Sequence, residues 1–205
     1  MTATLAASLD GITDIPAGHV ATIKTYLAMP ERPTDTGSTP LDRPLLERLR
    51  GAQHARYRSI FATLGRRWLW WSRLQLSAGD LAAVLDDPSV EAYAVVADGA
   101  DAGLMEFDFR EPGRADLAFL GLFEGHTGQG TGTALMAIAL SALWRAGVST
   151  VTVNTCTFDH PAALAFYRRS GFSVVKQAVE IVPDPRLAGL LPRDAAPHVP
   201  LLPRT

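Results

Sequence analysis

Two short stretches of this 205-residue chain bring together residue types that could do chemistry. The first is Thr127-Gly128-Gln129-Gly130-Thr131-Gly132-Thr133, where glycines alternate just before an apolar run that continues to Trp144. Without Cβ atoms, a backbone can lie directly against a ligand. A helix that opens there aims unpaired N–H groups and the positive end of its dipole at the same point. Such a cradle suits an anion, and a pyrophosphate in particular. The second stretch runs from Asp159-His160-Pro161-Ala162-Ala163 through Phe166-Tyr167 to Gly171-Phe172. It sets a carboxylate, an imidazole and a phenol on or beside one short helix, and a phenol can protonate a leaving group.

The loop alone leaves several ligands open. A nucleoside-triphosphate loop needs Gly-Lys-Ser/Thr, and the only lysines are Lys24 and Lys176. A dinucleotide site wants its glycines after the first strand of a parallel unit and an acidic residue on the next strand. Here antiparallel strands are expected before the loop, and the following strand, 149–155, carries no acidic residue. Coenzyme A, whose pyrophosphate asks for the same cradle, stays open, as does a tight turn with no ligand.

The elements that must position these groups follow from periodicity. Residues 19–29 alternate as a strand, and 30–44, with four prolines, read as a surface linker. Tyr57, Phe61 and Leu64 recur at helical spacing until Gly65, where the helix is expected to stop. Ser77 with Asp80 caps a short helix through Leu85. Strands follow at 90–97 and 102–110, joined by Asp98-Gly99 as a hairpin, and at 115–123. A buried helix is expected over 133–146, a strand over 149–155, and a helix to Ser170 with Asp159 as its N-cap. A last strand, 172–181, leads into a proline-rich tail from about 182. The pattern gives a mixed α/β sheet, mostly antiparallel and flanked by helices. Residues 1–44 form an N-terminal strand and linker packed on a main body of 45–205. The N-terminal strand should seek a sheet edge, 172–181 of its own chain or that of a second copy, so monomer and homodimer both remain open.

Taken together, the glycine loop and the Ala163…Tyr167…Gly171-Phe172 pattern resemble the GNAT superfamily of acyl-CoA-dependent N-acetyltransferases. The matched motifs span about 117–172. Gly130 and Gly132 fit the family's paired loop glycines, and Ala163, Tyr167, Gly171 and Phe172 fit its second motif. Thr127 stands where the family has Gln or Arg, and His160 where it has Asn. The resemblance implies a V-shaped splay between two central parallel strands that holds acetyl-CoA as co-substrate. It implies cofactor contacts at Leu120, Leu122, Thr127, Gly128, Gln129, Gly130, Thr131, Gly132, Thr133, His160 and Ala163, and an acid role for Tyr167 toward the departing thiolate. Bases in the family are often acidic residues on these strands, which points to Glu106 and Asp116. The activity implied is direct acetyl transfer to a small-molecule or peptide amine. A non-catalytic acyl-CoA-binding module on the same fold is the competing reading.

Composition bounds the rest. A formal charge of −2, with no basic run, gives no footprint for nucleic acid. The longest strongly apolar stretch is 134–144, half of what a bilayer span of roughly 20 residues needs. One cysteine, Cys156, and five histidines make a structural metal site an unfavoured reading, and a reducing, cytoplasmic setting is expected. Cys156 itself reads as a small buried thiol. The segment Arg66-Arg67-Trp68-Leu69-Trp70-Trp71-Ser72-Arg73 cannot turn all its indoles inward, so part of it should face an acceptor cleft or an interface.

Overall fold

A computed structural model describes residues 10–33, 45–128 and 130–203; most of the expected linker (34–44) and Gln129 lie outside the described residues. Seven strands form one sheet: β1 (His19–Met29), β2 (Leu45–Leu49), β3 (Val90–Ala97), β4 (Ala100–Asp108), β5 (Arg114–Leu122), β6 (Thr150–Cys156) and β7 (Ser173–Pro183). Their order across the sheet is β2-β3-β4-β5-β6-β1-β7. Every neighbouring pair is antiparallel except β5 and β6. The helices are α1 (His54–Trp68), α2 (Ala78–Asp86), α3 (Thr131–Leu143) and α4 (Ala163–Arg169).

Each face of the sheet buries its own layer. Tyr57, Ile60, Phe61 and Leu64 of α1 and Leu81 and Leu85 of α2 pack on Leu49, Ala92, Ala94 and Leu104. On the other face Met136, Ala139, Leu140 and Leu143 of α3 and Tyr167 of α4 pack on Leu27, Leu117, Val151 and Val153. Burial of an aliphatic or aromatic side chain contributes about 1.5–3 kcal/mol, so these two layers supply the main driving force for the sheet.

Three sequence expectations are corrected here. β1 does pair with β7, the expected neighbour in its own chain, but it pairs with β6 as well, so it is an interior strand. Alternation specified a strand, but not that it would carry partners on both sides. β2 was not anticipated, because Leu-Leu-Glu-Arg-Leu is short and does not alternate strictly. Gly65 does not end α1. A Cβ there would meet the Trp70 carbonyl oxygen at 2.2 Å, so this glycine lets the returning chain pack against the helix. The turn comes instead at Leu69, which adopts a left-handed conformation (φ 52°).

The proline-rich tail is built around one buried ion pair. Arg186 donates to both carboxylate oxygens of Asp184 (3.0 and 2.7 Å) and to the carbonyls of Ala195 and Val199. These bonds hold Asp184 below the usual carboxylate range despite its burial. Leu191, Ala195, Ala196 and Val199 pack with Val20, Leu69 and Phe158, so the tail covers the start of β1 and the end of α1.

Candidate active site

The site begins as a fault in the sheet. β5 and β6 pair only from Arg114↔Thr150 to Leu117↔Val153. On the other side of β5, Leu117 lies opposite Phe107 and Phe119 opposite Glu106, which leaves Ala118 as an extra, bulged residue. A bulge bends its strand and raises the local twist. β5 therefore turns away from β6, and the β6-facing main chain from Ala118 to Leu122 has no strand partner. An open strand edge of this kind can receive an extended amide-bearing ligand by main-chain hydrogen bonds. The gap is a cleft of about 690 Å³.

One mouth of the cleft carries the glycine loop. Leu120, Leu122, Thr127, Gly128, Gly130, Gly132 and Thr133 line it. Gly130 is the N-cap of α3 at φ 80°, with no side-chain capping bond, so the first-turn N–H groups of the helix stay available to a ligand. A residue with a Cβ would be strained at that torsion. Facing the loop, α4 presents Ala163, Phe166, Tyr167 and Arg169. Among the described residues Arg169 has no ionic partner. The sequence reading missed it, although it lies three residues beyond Phe166 and so on the same helical face. Thr131 does not line the cleft.

Tyr167 sits in the core layer beneath the cleft, 8% exposed, with its ring against Phe166 and Phe172. Burial first, and then the charges of Asp159 and Asp116, push its phenol well above the ordinary tyrosine range. It therefore stays protonated through neutral pH.

The opposite mouth is formed by Trp70, Trp71 and Ser72 with Thr22 and Lys24 of β1, Asn154 and Cys156 of β6, and Glu180 and Val182 of β7. Trp70 lies against β5 because Gly121 leaves room: a Cβ there would meet Trp70 Cη2 at 2.9 Å. The Trp70 indole donates to Asp159 (2.9 Å), and the Trp68 ring meets His160 at 5.3 Å. These two contacts join residues 68–70 to 159–160 across the gap, so the V is closed above and the cleft becomes a passage with two ends.

The bridge also corrects the expected N-cap. Asp159 does not cap α4, which starts at Ala163 without a side-chain cap. Its carboxylate instead accepts from the Thr155 hydroxyl (2.8 Å), the Cys156 N–H (2.9 Å) and Trp70. The end of β6 is nearer to it than the helix start and offers more donors. His160 lines the passage, and its Nδ1 accepts the Ala162 N–H (3.1 Å).

The two acidic candidates are placed differently. Glu106 is fully buried and off the passage, taking hydrogen bonds from Tyr57 and from Arg73 (2.5 Å). Its neighbour Arg73 begins the chain beyond Trp71 and Ser72, so this pair fastens the tryptophan segment to the sheet. Asp116 lies on β5 just before the splay and accepts the Thr152 hydroxyl at 2.6 Å. Burial raises its proton affinity above the ordinary aspartate value. It too does not line the passage. Cys156 does line it, half-buried, with its thiol pushed up by burial.

Comparison with known proteins places this geometry. Residues 53–172 match the family model described as acetyltransferase (GNAT) family. A functionally unknown conserved protein from Staphylococcus epidermidis superposes with a TM-score of 0.56 at 11% identity, covering 82% of this chain and 63% of that one. An aminoglycoside acetyltransferase from an uncultured soil metagenomic sample, in complex with sisomicin, gives 0.53 at 16% identity, covering 66% and 92%. An acetyltransferase from Thermus thermophilus gives 0.50 at 20% identity, covering 68% and 96%. The chain thus spans less than two thirds of the length of the staphylococcal protein. At these identities the likeness is one of fold. No curated protein sequence matches. Among the described residues, no helix is long and apolar enough to cross a membrane.

Proposed function

The chain belongs to the acetyltransferase (GNAT) family, and from that footing we propose that it moves an acetyl group from acetyl-CoA to an amine. The observation that carries this reading is a through-passage with an anion cradle at one end and the Tyr167 phenol, its proton affinity raised by burial, in its wall. Acetyl-CoA would supply the activated thioester. The amides of Gly128, Gly130, Gly132 and Thr133 suit its pyrophosphate, and Arg169 offers the cation that Thr127 does not. His160 and Ala163 flank the same end. The unpaired main chain of β5 near Leu120 and Leu122 suits the pantetheine amides, and an N–H there can polarise the thioester carbonyl.

Tyr167 holds the proton that the departing sulfur needs. Of the two acidic candidates, Glu106 is committed to Arg73 and Tyr57. Asp116 is the better proton acceptor for the incoming ammonium, because burial makes it more basic, and since it lies off the passage the proton would reach it through an intervening group. A sufficient test is calorimetric titration with acetyl-CoA beside release of free coenzyme A in the presence of amines. Micromolar binding with amine-dependent release is expected. Binding without release for every amine tried would favour the non-catalytic module, and no binding would end both readings.

A further inference from the structure

Lys24 and Glu180 face the tryptophan mouth from β1 and β7. Their charged ends are 3.7 Å apart, beyond hydrogen-bonding distance, and the side chains are 28% and 41% exposed. Neither side chain makes a hydrogen bond to another described residue, and the Lys24 ammonium otherwise only lies over the Tyr26 ring, 6.0 Å from its centre. Of the other charges near this end, Arg67 pairs with Glu124 at 2.5 Å, Asp159 is held by three donors, and Asp116, near enough to feel the Lys24 charge, accepts from Thr152. The mouth therefore offers one loosely engaged cation beside one loosely engaged anion, against the indoles of Trp70 and Trp71.

We propose that this mouth binds a small apolar α-amino acid as the acetyl acceptor, with its carboxylate on Lys24, its ammonium on Glu180 and its side chain on the two indoles. The inference rests on the transferase reading above. The ammonium nitrogen and nearest carboxylate oxygen of an α-amino acid lie about 3 Å apart, set by the three bonds N–Cα, Cα–C and C–O. Such a zwitterion spans the Lys24–Glu180 pair and gives each charge a close partner. A polycation such as an aminoglycoside or a polyamine would meet Lys24 and give it no carboxylate partner. A blocked or internal peptide would lack the carboxylate that Lys24 calls for. In the transfer the ammonium loses one proton toward Asp116, which frees the amine from Glu180 to form the new N–C bond at the thioester carbonyl. The C–S bond breaks, and the thiolate leaves with the proton of Tyr167. The second proton that the nitrogen sheds as the amide forms returns to the Tyr167 phenolate. The products are the N-acetyl amino acid and free coenzyme A.

The test compares L-leucine and L-tryptophan with L-leucinamide, kanamycin and spermidine, by coenzyme A release and by calorimetry in the presence of coenzyme A. Leucine should exceed leucinamide in kcat/KM by at least about tenfold, the scale of one charge-assisted contact. Lys24→Met should bring that ratio close to one, and Glu180→Gln should weaken leucine binding about tenfold. The melting temperature of each variant shows whether the sheet survives. Equal or better use of leucinamide, kanamycin or spermidine overturns the inference and leaves the transferase reading standing. Failure of acetyl-CoA to bind ends the transferase reading by itself. Failure of leucine and tryptophan to bind beside coenzyme A ends the inference by itself.

Discussion

The two ends of the passage are built in different ways. The glycine-loop end comes from two nearly contiguous pieces of chain, 120–133 and 160–169, both inside the family match. It works through main-chain N–H groups, left-handed glycine torsions and a helix terminus, with few side chains that need placing. The tryptophan end draws on β1, the chain after α1, β6 and β7, and two of these lie outside the matched residues. It works through side chains brought together by topology. A diphosphate handle common to many enzymes can be met by backbone, whereas an acceptor that differs between enzymes must be met by side chains.

That contrast can be broken or sharpened by substitution. The largest effect is expected from Gly130→Asp, which forces a Cβ into a left-handed torsion and sets a carboxylate at the cradle. Acetyl-CoA affinity should fall by roughly 10³-fold, ~4 kcal/mol, with the melting temperature little changed. Calorimetry showing a loss under threefold would remove the loop from the site. Tyr167→Phe, between the two ends, should lower kcat about 10²-fold and leave both affinities alone. Because burial holds the phenol proton, the wild-type rate should show no fall from this group up to about pH 10.

Arg169→Ala should cost about tenfold in coenzyme A affinity, the scale of one charge-assisted contact, and spare the acceptor KM. Trp70→Phe removes the donor to Asp159 and should do the opposite, raising the acceptor KM about fivefold with acetyl-CoA affinity unchanged. If both variants shift both constants together, the two ends are one coupled site.

The smallest effect concerns Asp116→Asn. The folded protein binds this proton more tightly than the unfolded chain does, so ionising Asp116 weakens the fold as pH rises through its unfolded and then its folded value. Asparagine removes that cost. The variant should melt no more than about 2 °C higher at pH 7, and the difference should vanish in acid. Turnover should drop a fewfold at pH 7 and less at pH 9, where more of the amine arrives unprotonated. A variant that works as well at pH 7 as at pH 9 would take Asp116 out of proton transfer.

What could be read from the sequence follows the same division. The glycine loop around Gly128 and Gly130 could be read from local spacing, because a loop and a helix start are short-range objects, whereas Ala163 and Tyr167 stood out through the family resemblance. The hairpin of β3 and β4 and the cap at Ser77 were legible for that reason too. Lys24, Asn154 and Glu180 were invisible as a group, since only the pairing of β1 with both β6 and β7 makes them neighbours. Asp159 misled because a short polar side chain before a helix satisfies an N-cap pattern equally well when it bonds backwards to a strand. The Trp68–Trp71 segment announced itself by composition, yet its partners did not.

The interior position of β1 also sets a schedule for the growing chain. The strand is complete at Met29, but its partner β6 ends only at Cys156, and β7 follows later still. At translation rates of about 5–20 residues per second, β1 leaves the ribosome roughly 6–25 s before either neighbour exists. For that interval an eleven-residue strand has two bare edges, the condition under which nascent chains pair wrongly or engage chaperones. When β6 and β7 do arrive, β1 joins two strands that make no ladder with each other, so three of the seven strands assemble late and through long-range contacts.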